Sequence, residues 1–243
     1  MTLQLMHYPI ADIIFTLYLL VYYPVDGILR SLYKKSPKPK LSTLQGYWRQ
    51  GRFILILLAV FMLVSWFGGH SADELGLGLP PSTAGIWGLA IVVGLLVTLH
   101  ILGKRAEAKL TAEERLKQEE KIRELPFSMP RTRQEIVIYF VTMIGMTATW
   151  ELFFRGYLLL VLTPITGLPL AVVLAAVSYG AGHGFENIKQ FLGSIVAAFA
   201  FTIGYAFTGS LWWLIVLHAA APAAMFFAAR KLSQGRSIDA ATV

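Results

Sequence analysis

Four residues in the second half of this chain could do chemistry together: Glu151, Arg155, His183 and His218. All four lie in or beside long apolar runs. A carboxylate and a histidine can hold and activate a water for attack on a peptide carbonyl. A second histidine or an arginine can stabilise the oxyanion or the ionised carboxylate. Glu151 and Arg155 are four apart, so on a helix they share one face. Burial raises the pKa of a carboxyl group and a neighbouring guanidinium opposes that. A self-neutralising structural pair is the competing reading.

His183 stands in SYGAGHGFE, between Gly180, Gly182 and Gly184. Such glycines admit a neighbouring helix or a substrate backbone. Glu186, three residues on, is a secondary candidate at the helix end. His218 stands in LWWLIVLHAAAPA, where small residues suit close packing. Each histidine alone reads equally well as a hydrogen-bonded interior residue. Glu151, His183 and His218 could in principle hold a divalent metal such as zinc, and no other cofactor is expected. Asp12 and His100 read as structural, and His7 and His70 as loop residues. No HExxH, no Gly-Xaa-Ser-Xaa-Gly and no pair of spanning aspartates occurs. Cysteine is absent, which rules out disulfides and thiolate metal sites.

The elements that must position these groups are transmembrane. Of the 243 residues 56% are hydrophobic and only 14% charged, where a soluble chain is nearer a quarter charged. Runs long enough to span, at about 20 apolar residues each, fall at 8–25, 53–67, 84–102, 136–162, 168–183, 191–207 and 211–229. The expected fold class is an all-α bundle of about seven spans. A three-span region covers 1–103, a charged linker 104–134, a helical core 135–230 and a tail 231–243. The start of the chain carries no Lys or Arg and no cleavage-site pattern follows it, so the first span is expected to be retained. The linker, rich in helix formers of mixed charge, reads as a solvated helix ending before Pro126 and Pro130.

Charge sets an expected orientation. The loop 30–52 holds seven Lys/Arg, 104–133 nine, the tail after Ala229 three, and Lys189 one more; the loop 68–83 has none. Seven spans with the N-terminus outside put all those basic regions in the cytoplasm. The net charge of +7 then reports facing anionic lipid rather than nucleic acid, for which no reading motif is present.

On three ordered motifs the chain resembles the CPBP family of intramembrane proteases, which includes type II CAAX prenyl endopeptidases and bacteriocin-immunity proteins. WELFFRGYLL, Trp150 to Leu159, is similar to the family's Glu-Glu-Xaa-Xaa-Xaa-Arg. Tyr179 to His183 fills Phe-Xaa-Xaa-Xaa-His with Tyr for Phe. His218 fills a His that has Asn four residues on, here Pro222. A Thr-Gly-Ser turn precedes the last helix, as in the family. The resemblance covers roughly 135–229. It implies an endopeptidase in which Glu151 and His183 activate water, His218 stabilises the oxyanion and Arg155 orients Glu151. Trp150 replaces a Glu implicated in activating water, so Glu151 carries any glutamate role. Pro222 removes an oxyanion donor, for which Arg155, a backbone amide or Glu186 would stand in.

The expected partners are a peptide or protein substrate and the bilayer; the expected location is a membrane crossed several times, the cell membrane if the host is bacterial. Two rivals remain: a non-catalytic scaffold or immunity-type member, and a small transporter or ion path. Helix rise poses an obstacle. At about 1.5 Å per residue, straight helices put Glu151 and His218 toward the outer side and His183 toward the inner. A bend or break near Gly156 or Gly180, or an off-register span, is required.

Overall fold

The computed structural model of the chain describes residues 9–33, 42–123, 130 and 132–239, with side chains left undescribed at 119, 121–123 and 228–239. His7, the basic stretch 34–41, Pro126, Arg131 and the end of the tail, 240–243, lie outside the described residues. Among those described, every regular element is helical. The first span, Ile10–Leu32, is built from α1 (Ile10–Leu17), a π-helical turn Tyr18–Tyr22 and α2 (Tyr23–Leu32). Next come α3 (Thr43–Gly68), α4 (Thr83–Ala108) and α5 (Ala112–Arg123). One continuous rod of 34 residues follows: α6 (Arg133–Glu151), a second π-helical turn Leu152–Tyr157 and α7 (Leu158–Thr166). The remaining helices are α8 (Leu168–Gly182), α9 (Ile188–Thr208) and α10 (Trp212–Asp239).

Local chemistry sets the ends. Ser42 with Gln45, and Thr132 with Glu135, form reciprocal capping boxes at the starts of α3 and α6. Gly69 and Gly209 take left-handed backbone at the ends of α3 and α9. The charged linker is two pieces: α4 runs on to Ala108, and Thr111, whose hydroxyl accepts from the Glu114 amide, starts α5. The last span likewise extends as helix to Asp239 through what the sequence suggests is a tail.

Among the described residues, five helices are long and apolar enough to cross a membrane: the first span, α3, α4, the 34-residue rod and α9. The shorter apolar helices are α8 and the 212–227 part of α10. Trp48 and Trp66, both exposed near opposite ends of α3, stand eighteen residues apart. That is about 27 Å of helix, close to a hydrocarbon core flanked by aromatic belts.

The rod is the axis of the bundle. Every residue from Glu151 to Leu159 is buried. Contacts link the helices in a closed ring that includes the first part of the rod: α1 meets α3, α3 meets α6, α6 meets α10, α10 meets α4, α4 meets α9, α9 meets α8 and α8 meets α2. α4 packs on both α9 and α10, which also touch each other through Phe201 and His218. Trp213 makes that possible, because its ring occupies space that a Cβ on Gly88 or Gly204 would need.

The loop 69–82 packs onto the axis. The backbone oxygen of Leu75 lies where a Cβ on Gly156 would fall, at 2.6 Å. Leu211 donates its N–H to the Gly76 carbonyl, and the Trp212 indole donates to Gly78. Glu74 closes the loop's own turn by accepting from the Ser71 amide and hydroxyl, which hold its carboxyl below the usual range.

Asp12, read from the sequence as structural, has partners that the sequence does not show. It is 1% exposed. His70, 58 residues away, places Nε2 at 3.0 Å from Oδ1, and the Tyr157 hydroxyl donates to the same oxygen at 3.1 Å. Tyr157 also reaches the Asp12 carbonyl and Thr16. This cluster pins the first span and the loop to the π-turn of the axis. Asp12→Ala leaves the imidazole and part of the phenol's bonding unpaired, so unfolding by SDS titration in mixed micelles is expected to show a loss of about 1–3 kcal/mol.

Candidate active site

Glu151 closes α6, and Arg155 lies within the π-turn that follows. Both side chains are fully buried. Arg155 Nη1 donates to Glu151 Oε1 at 3.4 Å. The same oxygen is 2.7 Å from His218 Nδ1, on α10. With an ionised glutamate, Nδ1 is the donor, which fixes the imidazole tautomer and leaves the Nε2 lone pair free. The His218 side chain is 28% exposed while Glu151 is sealed behind it. Three buried polar atoms have no hydrogen-bond partner here: Glu151 Oε2, Arg155 Nε and Arg155 Nη2. A donor pair and an acceptor are therefore held ready in one apolar enclosure, which is costly unless something binds.

Tyr179 of α8 is the hub that the sequence reading passed over. Its ring carries the Arg155 guanidinium 4.0 Å above the centroid. Its hydroxyl faces His218 Nε2 at 3.5 Å. Its carbonyl accepts from His183 Nδ1 at 3.0 Å, and the two rings meet edge to face at 4.7 Å. The signal was present in the spacing, since Tyr179 stands four before His183 on the same helix face. His183 reaches the cluster through Tyr179, not by a hydrogen bond to Glu151, and it lies exposed just past the end of α8.

The expected obstacle of helix rise disappears in the hairpin at Gly167. Glu151 lies sixteen residues before that glycine and His183 sixteen after; Arg155 and Tyr179 lie twelve on either side. Antiparallel helices joined there bring each pair to one level, about 24 and 18 Å from the turn. His183 stays level with Glu151 because α8 is only 15 residues long. The π-turn spans Gly156, where a break was expected, and re-aims the side chains after Glu151.

The glycines around His183 each admit a neighbour. Gly180 meets Ile195, Gly182 lies under the ring of Tyr23, and Gly184 faces Ser31. Gly184 also has φ +81°, a conformation that favours glycine. The first span thus packs directly on the end of α8. Its Tyr23 packs at a tilt against Trp150, with centroids 4.6 Å apart, and against Phe154 at 5.3 Å. Trp150 faces this aromatic wall, whereas Glu151, one residue on, faces α10.

Pro222 has no N–H, so the His218 carbonyl one turn earlier loses its helical partner. The Pro222 carbonyl accepts from Tyr139. Glu186 is exposed in the loop before α9, outside the buried cluster; its amide donates to the Gln190 side chain. His100 is exposed on α4. Among the described residues no group of three or more His, Cys, Asp or Glu is placed to hold a metal ion.

Residues 132–224 match the family model described as type II CAAX prenyl endopeptidase, Rce1-like. The chain matches no curated protein and no solved structure. The matched segment runs from the cap of α6 to just past Pro222, and so contains Glu151, Arg155, Tyr179, His183 and His218. By this match, residues 132–224 form an Rce1-like domain, consistent with the CPBP family of intramembrane proteases.

Proposed function

We propose that this membrane protein is an endopeptidase that hydrolyses a peptide bond in or near the bilayer with a water activated by Glu151 and histidine. One observation carries the reading: Glu151, buried against His218 and Arg155, keeps one carboxylate oxygen unpaired beside two unpaired guanidinium N–H-bearing nitrogens. Glu151 orients His218 and stabilises its imidazolium, as a carboxylate does for a catalytic histidine. His218 Nε2 takes the proton of the attacking water. Arg155 pairs with Glu151 and offers N–H to the developing oxyanion. His183, its Nδ1 engaged by Tyr179, presents Nε2 at the exposed end of α8, where it meets the incoming substrate. This geometry favours His218 over His183 as the immediate partner of Glu151.

The basic helix ends face the cytoplasm in this reading and the loop 69–82 faces outward, as the Lys/Arg distribution favours. Purified protein in liposomes with a panel of quenched transmembrane peptides tests it. Wild type is expected to cleave at least one peptide, and Glu151→Gln none at a measurable rate. Equal rates for the two, or no cleavage of any peptide, would count against it.

A second reading, a non-catalytic scaffold of the same fold, is favoured by Trp150. Its ring, packed at a tilt against Tyr23, fills a position where the family pattern has a carboxylate. A scaffold shows no Glu151-dependent cleavage in the same assay.

A further inference from the structure

The family motif that His183 completes has Phe where this chain has Tyr179, so the phenol adds one oxygen to a ring that would pack equally well without it. That ring is 5% exposed. Burying a hydroxyl is costly unless it is bonded, and this one points at the free nitrogen of His218, 3.5 Å away. Meanwhile the position four residues after His218, where the motif has an amide side chain, is Pro222. One donor is missing on α10 and one has been added on α8, both beside the same imidazole.

We infer that the Tyr179 hydroxyl is a further catalytic group, the donor that receives the oxyanion of the tetrahedral intermediate. The inference rests on the hydrolytic reading above. At rest the hydroxyl donates to His218 Nε2, and the long contact lets it turn away when substrate and water enter. The water oxygen then bonds to the carbonyl carbon while its proton passes to Nε2. The C=O electron pair moves onto oxygen, which accepts from Tyr179 Oη–H and from Arg155. As the intermediate collapses, the C–N bond breaks and the proton on Nε2 passes to the leaving amine. The products are one carboxylic acid and one amine, and both Tyr179 and His218 end in their starting states. Arg155, held against the face of the same ring, keeps the phenol in place.

Tyr179→Phe deletes a single oxygen and restores the family's residue, so it tests the oxygen without disturbing the ring packing. The full chain, reconstituted in phosphatidylethanolamine–phosphatidylglycerol vesicles, is assayed on a quenched peptide that wild type cleaves. The variant is expected to lose kcat about 10²-fold with KM unchanged, the scale of one oxyanion donor. In parallel, 15N-histidine NMR follows His218; its Nε2 resonance is expected to move when the hydroxyl is removed. Wild-type kcat with an unmoved Nε2 resonance overturns the inference and leaves the hydrolytic reading intact. A KM change alone also overturns it, since the hydroxyl would then only bind substrate. Absence of any Glu151-dependent cleavage by wild type overturns the hydrolytic reading and this inference with it.

Discussion

Arg155→Met is expected to lower the stability of the protein by about 3–5 kcal/mol. Both members of the Glu151–Arg155 pair are fully buried in the axis of the bundle. Methionine keeps most of the volume and the apolar stem, so packing survives; what remains is a carboxylate enclosed without its cation. His218 still donates to it, but an imidazole shared with a 28% exposed edge compensates less than a guanidinium. The double variant Glu151→Gln/Arg155→Met removes both charges and is expected to recover most of the loss, because a neutral pair in this enclosure is far cheaper than one charge. Unfolding followed by SDS titration for the two singles and the double gives the coupling directly. Additive losses would mean that the two side chains do not depend on each other.

The second large effect concerns rate. His218→Ala is expected to reduce cleavage about 10⁴-fold, the scale on which a mispositioned catalytic histidine fails. The loss for Glu151→Gln/His218→Ala should hardly exceed that of either single variant, because groups that act as one unit lose their function together. Glu151 Oε1 and His218 Nδ1 are 2.7 Å apart, and without the carboxylate the imidazole loses the shortest contact that orients it. Losses that multiply in the double variant would show two independent groups. His183→Ala, which breaks no bond to Glu151, provides the contrast within one assay.

Much of this was legible in the residues. Each apolar run became a helix, and the three motifs carried both the candidate side chains and the family. Helix ends were less legible, because hydropathy marks what lies in lipid while capping marks where a helix begins: α3 starts at Ser42 and Gln45, well before the apolar run at Phe53. Side-chain pairing was least legible. It depends on rotation about each helix, and the extra residue in a π-turn rotates all that follows by about 100°. So Glu151 and His218 could be nominated but not joined, and His183 was assigned as the partner of Glu151 where Tyr179 intervenes. The level match about Gly167 follows from counting outward from the break between the expected spans 136–162 and 168–183; counting from the start of each span hides it, because the rod is far longer than α8. Asp12 and His70 looked solitary because their contact spans most of the first two helices.

The hydrogen bonds from the first span to the axis and to α8 bear on where this protein can be cut. Asp12 takes the Tyr157 hydroxyl, and the Ser178 hydroxyl donates to the Leu19 carbonyl at 2.5 Å. Tyr23 covers Gly182 and Trp150. The family match begins at residue 132, yet the packing that holds the fold together does not. A fragment trimmed to the matched boundaries would expose two buried hydroxyls and an aromatic face to lipid, and it would lose the wall beside His183. The matched segment and the folding unit are different objects here. Supplying residues 9–68 as a separate chain is the complementation that would make the shorter piece whole.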